Sequence, residues 1–501
     1  MMSISFKKPL PIYLFLIPLG LAGAIFLYWL NPFGVGIYVD SLYYVSSARN
    51  LIDGIGMGRV TGLGVFKPMT QAAPLYPLVL ALHHLLGLPE LTTARWLSTL
   101  SFGLAIVLAG LIIYQRTHSS FFSIFIAILF LLSNPNLHIF SWAMTEPLYI
   151  VLMLLGFLMI GLYLRNTRTR WLVLAATFAS LALLTRYIGI SLVGAFSIVL
   201  ILNRKLEWRS RLKDLIIFLA IVFVPTLAWL VRNWLVSESL TNRVLDWHPI
   251  TSENTSLLIK AVNSWGFLPQ RLTIGHETIG FAIIVICLIL IGIFWFIRSL
   301  PKPGKSPSLE FALLLAAWLY VFFLITSLFL FDATTRLENR ILLPLYIIIL
   351  LLIVIGSDLL WQNKTILTRI GAVLVCIWLA YFSFTRVDGA IMDLRSDGQG
   401  YASLKWQNSP TAGFIRLQDT SVIFTNDVTA IYFLSGKDSV GIPNSSATES
   451  DFSQMREGLR TPNSYLVIFG TLTGEFAPLD KLIQDLTLVD SFADGHVYQL
   501  R

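Results

Sequence analysis

The sequence predicts an α-helical polytopic membrane protein with about 11 transmembrane helices, followed by a small C-terminal α/β domain. Three observations support this prediction. Of the 501 residues, 56% are hydrophobic and only 13% are charged, about half the charged fraction of a typical soluble domain. Apolar runs of about 20 residues recur, each long enough to cross hydrocarbon about 30 Å thick, and runs of this kind span lipid as helices. These long runs stop near residue 385.

The apolar runs set the order of the predicted spans. The first run follows MMSISFKK and resembles a signal peptide, but its length and the lack of a small-x-small cleavage site predict a retained anchor. The predicted spans lie near residues 11–30, 92–114, 120–137, 145–164, 171–185, 187–203, 214–235, 278–297, 308–331, 340–360 and 366–384.

One apolar run, Trp171–Leu202, is too long for a single upright span. Its 32 residues would extend about 48 Å as one helix. Both flanks are basic, and cytosolic segments are enriched in Lys and Arg. We therefore predict a helical hairpin with Arg186 at its outer turn. A single tilted helix would instead put Arg186 near the membrane midplane.

With the hairpin, the predicted inner segments hold many basic residues and few acids. The basic residues are Lys7, Lys8, Arg116, Arg165, Arg168, Arg170, Arg204, Lys205, Arg209, Arg211, Lys213, Arg298, Lys302, Lys305, Lys364 and Arg369. The N-terminus is then cytoplasmic, and the first loop (31–91, with interfacial helices), residues 236–277 and the C-terminal domain are extracytoplasmic. We expect the plasma membrane as the location.

The tail is predicted to be a separate domain, 385–501, after a membrane domain, 1–384. The tail has 9 basic and 14 acidic residues, a net charge of −5, whereas the first 384 residues have 27 and 14, a net charge of +13. The overall charge of +8 therefore reflects membrane topology and not a nucleic-acid surface. SVIFTN, YLVIFG and the last residues are predicted strands, and DVTAIYFLSG and LDKLIQDL are predicted helices.

Several polar residues fall at the predicted outer ends of helices or in the first loop. They are Asp40, Tyr44, Lys67, Glu146, Arg186, Arg232, Glu338 and Arg340. A carboxylate can take a proton from an attacking hydroxyl, and Arg or Lys can bind a phosphate and stabilise its charge. The alternative for each residue is interfacial anchoring. For Glu146 it is also a helix start, with Thr145 as N-cap and Pro147 in the first turn.

Other chemistries have little support in the sequence. HExxH, CxxC, P-loop and GxGxxG motifs are absent. The rings of His83 and His84 would diverge by about 100° on a helix, and the glycines of DGIGMGRVTGLG lie in an external loop. No metal site and no obligate cofactor are predicted, although the residues leave a divalent metal open. Cys287 and Cys376 lie in apolar runs and imply no disulfide framework.

The order of short motifs resembles a known family. VDSLYYVSSARNLIDGIG, PLYPLVLAL, TEPLYI, LLTRYIGI, RNWL and NRILLPLY follow one another along residues 11–384. This order resembles the GT-C superfamily of integral-membrane glycosyltransferases, in particular the bacterial branch with protein O-mannosyltransferase-like enzymes and the aminoarabinose transferase of lipid A. The segment TNDVTAIYFLSGK also resembles a C-terminal domain of some bacterial members.

The resemblance implies a GT-C-like fold and an inverting, single-displacement transfer on the extracytoplasmic face. The donor would be a polyprenyl-phosphate sugar, and the acceptor a hydroxyl of a lipid, glycan or protein. Asp40 matches the first-loop acid, the proposed base or acceptor-binding carboxylate, and Glu146 matches the acid that opens a later span. Both are expected to be catalytic. Lys67, Arg186 and Arg340 match donor phosphate contacts, and Tyr44, Arg232 and Glu338 are expected to bind substrate.

The sequence departs from the family pattern at two places. Ser41 follows Asp40 where many members have Glu, which weakens a strict protein-mannosyltransferase assignment. Ala72 and Ala73 stand before PLYP where members often have Trp-Pro, which alters the expected acceptor groove. Two other functions stay open: a lipid or solute transporter or flippase, which would bind near the midplane between inverted repeats, and an inactive scaffold whose tail recruits a partner.

Overall fold

The computed structural model describes residues 11–243, 245–267, 276–331, 335–363 and 365–501. Lys7, Lys8 and Lys364, which the sequence assigns to inner segments, lie outside the described residues.

The N-terminal part consists of two long helices separated by the first loop. Its elements are α1 (Tyr13–Leu30), α2 (Val39–Ile52), β1 (Gly58–Val60), β2 (Phe66–Pro68), α3 (Leu75–Ala81), α4 (His83–Leu86) and α5 (Glu90–Thr117). Helices α1 and α5 pack closely because Gly20 faces Gly103. A Cβ on either glycine would contact the carbonyl oxygen of the other, so this crossing requires residues without a side chain.

The next helices include a broken one. They are α6 (Ser120–Leu131), α7 (Asn134–Phe140), α8 (Glu146–Asn166), α9 (Thr169–Thr185), α10 (Ile190–Ile201) and α11 (Trp208–Ser237). Helices α6 and α7 meet at 58°, so the predicted span 120–137 is not straight. The Ser133 hydroxyl accepts a hydrogen bond from the Asn136 amide, and Pro135 lies in the first turn of α7; both features start a new helix.

The chain reverses at Arg186, between α9 and α10. Arg186 contacts Glu146 at the first residue of α8, and Phe196 of α10 packs on Phe157 in the middle of α8, with ring centroids 5.5 Å apart. Beyond α10, Asp214 accepts a hydrogen bond from Tyr163 near the last turn of α8. Helix α10 therefore returns along α8 from its first residue towards its last, as the hairpin prediction requires.

The remaining helices of the membrane part are one short helix, α12, and the last four of the eight or nine candidate spans. They are α12 (Ser252–Ser264), α13 (Glu277–Ser299), α14 (Leu309–Leu330), α15 (Asn339–Gln362) and α16 (Ile366–Ser396). Within the described residues, 8 helices are long and apolar enough to cross a membrane, or 9 if the bent pair α6–α7 counts as one span. The sequence predicts about 11 spans, because it also counts α9 and α10, which have only 17 and 12 residues.

The predicted domain boundary at residue 385 lies inside a helix. Helix α16 runs without a break from Ile366 to Ser396. The division into two domains stays a prediction, and the membrane part is joined to the tail by a continuous helix instead of a linker.

The tail contains a mixed five-stranded sheet. Its elements are α17 (Leu404–Gln407), α18 (Pro410–Leu417), β3 (Ile423–Thr425), α19 (Val428–Ala430), β4 (Val440–Gly441), α20 (Glu449–Leu459), β5 (Tyr465–Phe469), α21 (Leu479–Leu482), β6 (Leu486–Phe492) and β7 (Gly495–Leu500). The strand order is β4-β3-β5-β7-β6. Strand β3 pairs parallel to β4 and β5, whereas β7 pairs antiparallel to β5 and β6. All five residues of β5 are buried.

The three predicted strands of the tail are confirmed, and one predicted helix is too long. Helix α19 continues as a π-helical turn and ends at Gly436, whose φ is 75°, as predicted. In LDKLIQDL only Leu479–Leu482 is helical. Asp485 has a φ of 66°, and Leu486 pairs with Leu500 across β6 and β7, so a long-range pairing ends the helix.

Three short segments are joined by backbone hydrogen bonds at the end of the bundle where α8 begins. We call them the backbone clamp: residues 36–37, 141–143 and 400–401. The Gly36 amide donates to the Ser141 carbonyl (2.7 Å), the Ala143 amide to the Gly36 carbonyl (2.8 Å), and the Tyr401 amide to the Ile37 carbonyl (3.1 Å). The clamp ties the first loop to the segment before α8 and to the tail.

Substitution of Gly400 by Ala is expected to destabilise the protein. Gly400 has a φ of +55°, and a Cβ there would overlap the Ile37 carbonyl oxygen and the Trp142 ring. The left-handed conformation alone costs a non-glycine residue about 1–2 kcal/mol. Thermal unfolding in detergent should show a lower melting temperature. The matched control is Gly389→Ala in helix α16, where a Cβ meets no heavy atom within 4 Å; equal melting temperatures for the two variants would contradict the clamp's importance.

Candidate active site

Two carboxylates and two guanidinium groups from four different segments meet next to the backbone clamp. Asp40 lies in the first turn of α2, Glu146 begins α8, Arg186 lies between α9 and α10, and Arg340 lies in the first turn of α15. Arg340 Nη1 is 2.8 Å from Asp40 Oδ2, Arg340 Nε is 3.6 Å from Glu146 Oε1, and Arg186 contacts Glu146. We call these four side chains the charge cluster.

Burial differs strongly within the charge cluster. The Glu146 side chain is 0% exposed and the Arg186 side chain 16%, whereas 20% of Arg340 and 42% of Asp40 are exposed. A buried charge is tolerated only when it is paired, and Glu146 has two arginines as partners. Asp40 is therefore the one carboxylate of the cluster with substantial access to solvent.

The sequence around Asp40 fixes the start of α2. The Ser41 hydroxyl accepts a hydrogen bond from the Tyr38 amide (2.9 Å) and donates to the Ala143 carbonyl (2.9 Å). Ser41 is fully buried. Ser41 stands where many members of the GT-C superfamily have Glu. In this chain its hydroxyl connects α2 to the clamp segment 141–143.

The Thr145 hydroxyl accepts a hydrogen bond from Arg186 and makes no capping hydrogen bond to α8. The Arg186 guanidinium donates to the Thr145 hydroxyl at 3.0 Å, and no side chain caps α8. Thr145 is the N-cap residue of α8 and Pro147 lies in the first turn, as the helix-start alternative predicts, but the Thr145 side chain makes no capping hydrogen bond. Thr145 is a contact of the cluster that the sequence does not reveal.

Tyr38, Tyr44 and Glu338 surround the charge cluster. The Arg340 guanidinium lies over the Tyr38 ring, 4.9 Å from its centroid, and Glu338 Oε1 is 3.9 Å from Arg340 Nε. Tyr44 is buried and packs edge-on against Tyr76 with ring centroids 5.3 Å apart. Burial, together with the nearby charge of Asp40, raises the pKa of Tyr44 well above its usual value, so Tyr44 stays neutral.

The other two predicted site residues are not brought into the charge cluster. Lys67 is exposed on β2, opposite Arg59 of β1. Arg232 donates to the carbonyl oxygens of Met69 (2.8 Å) and Met57 (3.1 Å). These residues lie directly after β2 and directly before β1. The geometry of Arg232 is that of a loop anchor.

A cavity of about 250 Å³ adjoins the charge cluster on the side of Arg340. Its walls include Tyr38, His138, Trp142, Glu338 and Arg340. His138 and Trp142 are missing from the sequence-based site. The signal that could have identified them is the polar and aromatic content of NLHIFSW, which ends two residues before TEPLYI.

The described part of the chain contains no ready set of metal ligands. Among those residues, no group of three or more His, Cys, Asp or Glu side chains could hold a metal ion. Both carboxylates of the charge cluster are paired with arginine. Negative charge in a ligand would be met here by guanidinium groups.

The opposite end of the bundle is basic. Near the end of α5, Arg116 Nε donates to Glu310 at the start of α14 (2.7 Å), and Arg165 near the end of α8 donates to the Gln115 carbonyl (3.0 Å). The basic residues flanking α9 and following α10 belong to this end, because α9 starts there and α10 returns there. The charge cluster and the basic flanks thus lie at opposite ends.

Comparison with known proteins identifies the fold. No family model matches the sequence, and no curated protein matches it. The structure is similar to that of ArnT from Cupriavidus metallidurans bound to undecaprenyl phosphate, with 13% identity, 97% coverage of each chain and a TM-score of 0.57. It is also similar to the Archaeoglobus fulgidus oligosaccharyltransferase tethered with an acceptor peptide: 12% identity, 93% of this chain and 69% of that one, TM-score 0.52.

A third similar structure is the arabinofuranosyltransferase AftD from Mycobacteria, at 16% identity and a TM-score of 0.56, covering 97% of this chain and 40% of that one. All three are GT-C enzymes, and the similarity to each extends over nearly the whole of the present chain. The chain therefore has the GT-C fold and is an integral, multi-pass membrane protein, which confirms the predicted resemblance at the level of fold.

Proposed function

We propose that this GT-C-fold protein is a glycosyltransferase that moves a sugar from a polyprenyl-phosphate donor to a hydroxyl acceptor. The observation that supports this most directly is the charge cluster, in which an accessible carboxylate lies 2.8 Å from a guanidinium group. The ArnT structure, which has undecaprenyl phosphate bound, supports a lipid phosphate as part of the donor. The acceptor is a hydroxyl of a lipid, glycan or protein.

In the proposed reaction, the acceptor hydroxyl attacks the anomeric carbon and its proton passes to Asp40. The bond between the anomeric carbon and the phosphate oxygen breaks, and polyprenyl phosphate leaves with the electron pair. Arg340 and Arg186 stabilise the charge on the leaving phosphate. Because Arg340 pairs with Asp40 in this structure, the donor phosphate would take over Arg340 and free Asp40 to act as base. The displacement is single and inverts the anomeric centre.

The burial of Glu146 suggests a different role for the second carboxylate. A fully buried carboxylate between two arginines has no access to an acceptor. We therefore assign Glu146 as a positioning residue that holds Arg186 and Arg340 for the phosphate. Tyr44 and Glu338 adjoin the cluster and are proposed to bind substrate. Lys67 and Arg232 would bind substrate only if the first loop moves towards the cluster. No metal or other cofactor is needed in this scheme.

The distribution of basic residues supports an orientation. Since Lys- and Arg-rich ends face the cytoplasm, the charge cluster and the tail would lie on the extracytoplasmic side of the plasma membrane, with a cytoplasmic N-terminus. The short helices α9 and α10 would then both cross most of the bilayer, to give eleven crossings in the proposed topology.

The test uses the purified protein in lipid with a panel of radiolabelled undecaprenyl-phosphate sugars. Release of undecaprenyl phosphate from one donor is the expected result, and it would identify the sugar. Movement of a labelled donor between bilayer leaflets without release of the sugar would overturn the proposal in favour of a flippase. Absence of both binding and release for every donor would also overturn it.

A further inference from the structure

The cavity beside Arg340 is a feature that the proposed mechanism does not use. One wall comes from α7 and the segment after it, with His138 and Trp142. The other comes from Tyr38 and the start of α15, with Glu338, Asn339 and Arg340. Arg340 thus has one side in the charge cluster and another in the cavity, so a ligand in the cavity would lie directly beside a phosphate held by this arginine.

The size and the walls of the cavity restrict its ligand. Its volume of about 250 Å³ is below the 300–1,000 Å³ typical of drug-sized ligands, so it suits one small ring. Trp142 and Tyr38 pack edge-to-face with ring centroids 5.7 Å apart, and they combine with a carboxylate, an amide, an imidazole and a guanidinium. A sugar ring has the matching character, because its C–H faces are apolar and its rim presents hydroxyl groups.

His138 is held in one orientation by the segment that leads into the tail. The Gln399 amide nitrogen is 2.9 Å from His138 Nδ1, and Gln399 is buried. An amide nitrogen can only donate, so Nδ1 accepts and the proton of the neutral ring is on Nε2. Asp393 Oδ2 lies 3.9 Å from Nε2, which is too far for a hydrogen bond. Among the described residues, Nε2–H therefore has no hydrogen-bond acceptor, and His138 lines the cavity.

We propose that this cavity binds the monosaccharide unit of the donor and that His138 determines which sugar is accepted. His138 Nε2 donates to a ring hydroxyl, Trp142 packs against a C–H face of the ring, and Gln399 acts as a positioning residue for His138. This inference rests on the proposed function, since it assumes a sugar linked to a phosphate bound by Arg340. It adds a sugar-recognition wall from α7, outside the residues predicted from the sequence.

The experiment compares the affinity of the protein for undecaprenyl phosphate with its affinity for undecaprenyl-phosphate hexose, pentose and amino sugar. Wild type should bind one sugar-linked lipid at least about tenfold more tightly than the sugar-free lipid, because a site that hydrogen-bonds a hydroxyl discriminates against its absence. In His138→Phe, which keeps a ring but removes the N–H donor, this preference should fall at least about tenfold, with unchanged affinity for undecaprenyl phosphate.

Matched variants separate recognition from folding. His84→Ala removes an exposed imidazole on α4 and should leave the preference intact. Gln399→Leu should weaken the preference, again without changing the affinity for undecaprenyl phosphate. If His138→Phe does not fold, His138→Ala is measured in its place.

An unchanged sugar preference in the His138 variant would overturn the inference while leaving the proposed function standing. Wild type that binds undecaprenyl phosphate but prefers no sugar-linked lipid would overturn it as well. Failure of the proposed function is distinguishable, because wild type would then either bind no lipid of the panel or move the donor between leaflets without releasing its sugar.

Discussion

Asp40→Asn is expected to lower the turnover of the sugar donor by about 10²–10⁴-fold, the usual contribution of a general base. Asn keeps the size of Asp but cannot take the proton of the acceptor hydroxyl. The affinity for undecaprenyl phosphate should not fall with the turnover. Asp40 pairs with Arg340 at 2.8 Å, so the variant frees this arginine, and undecaprenyl phosphate should bind at least as tightly as in wild type. The rate of release of undecaprenyl phosphate and its dissociation constant are the two measurements.

Asp53→Asn provides the control for this experiment. Asp53 is the exposed C-cap residue of the same helix, α2, so its substitution makes the same chemical change away from the charge cluster. It should leave both quantities unchanged. Wild-type turnover in Asp40→Asn would remove Asp40 from the mechanism, and a loss of lipid-phosphate binding would show that Asp40 supports the fold of the site and does not compete with phosphate.

Glu146→Gln is expected to cause a large loss of stability. The Glu146 carboxylate is fully buried against Arg186 and Arg340. Removal of its charge takes away the carboxylate partner of Arg186 and leaves Arg340 with Asp40 and Glu338. Breaking a buried ion pair from one side costs about 3–5 kcal/mol. Thermal unfolding in detergent should therefore show a markedly lower melting temperature, and any folded fraction should bind undecaprenyl phosphate weakly because the arginines are no longer held.

An exposed ion pair provides the comparison. Glu253 lies 3.2 Å from Arg336, with 71% and 51% of the side chains exposed, and such pairs contribute about 0–1 kcal/mol. Glu253→Gln should therefore melt close to wild type. If Glu146→Gln also melts with wild type but has lost all turnover, Glu146 is a catalytic residue and our assignment of it as a positioning residue is wrong.

The parts of the fold that follow from helix ends could be predicted from the sequence. A hydrophobic run of fixed length ends at a membrane face, so Asp40, Glu146, Arg186 and Arg340 could be assigned to one end without knowledge of their contacts. Basic flanks around Trp171–Leu202 were sufficient to predict the reversal at Arg186. Which of these groups form pairs depends on how the helices pack, and the sequence does not specify it.

The missed features depend on contacts between distant residues. His138 approaches the site only because α6 and α7 bend by 58°. In the sequence, Arg232 of RNWL looks like a free cation. In the structure it donates to the carbonyl oxygens of Met57 and Met69, and backbone contacts of this kind cannot be recognised from the types of the side chains. The predicted helix LDKLIQDL extends to Leu486, the first residue of β6, and pairing with β7 ends the helix earlier.

The backbone clamp has a consequence for biosynthesis. Chains emerge from the ribosome from their N-terminus, at about 5–20 residues per second. Asp40, Glu146, Arg186 and Arg340 are therefore all made before Gly400 and Tyr401, the segment that completes the clamp by pairing with Ile37. A nascent chain that has already inserted α15 still has the residues before Asp40 paired on one side only. Full ordering of the charge cluster would thus be one of the last events in the maturation of this protein, and chains that terminate before residue 400 would reach the membrane without that ordering.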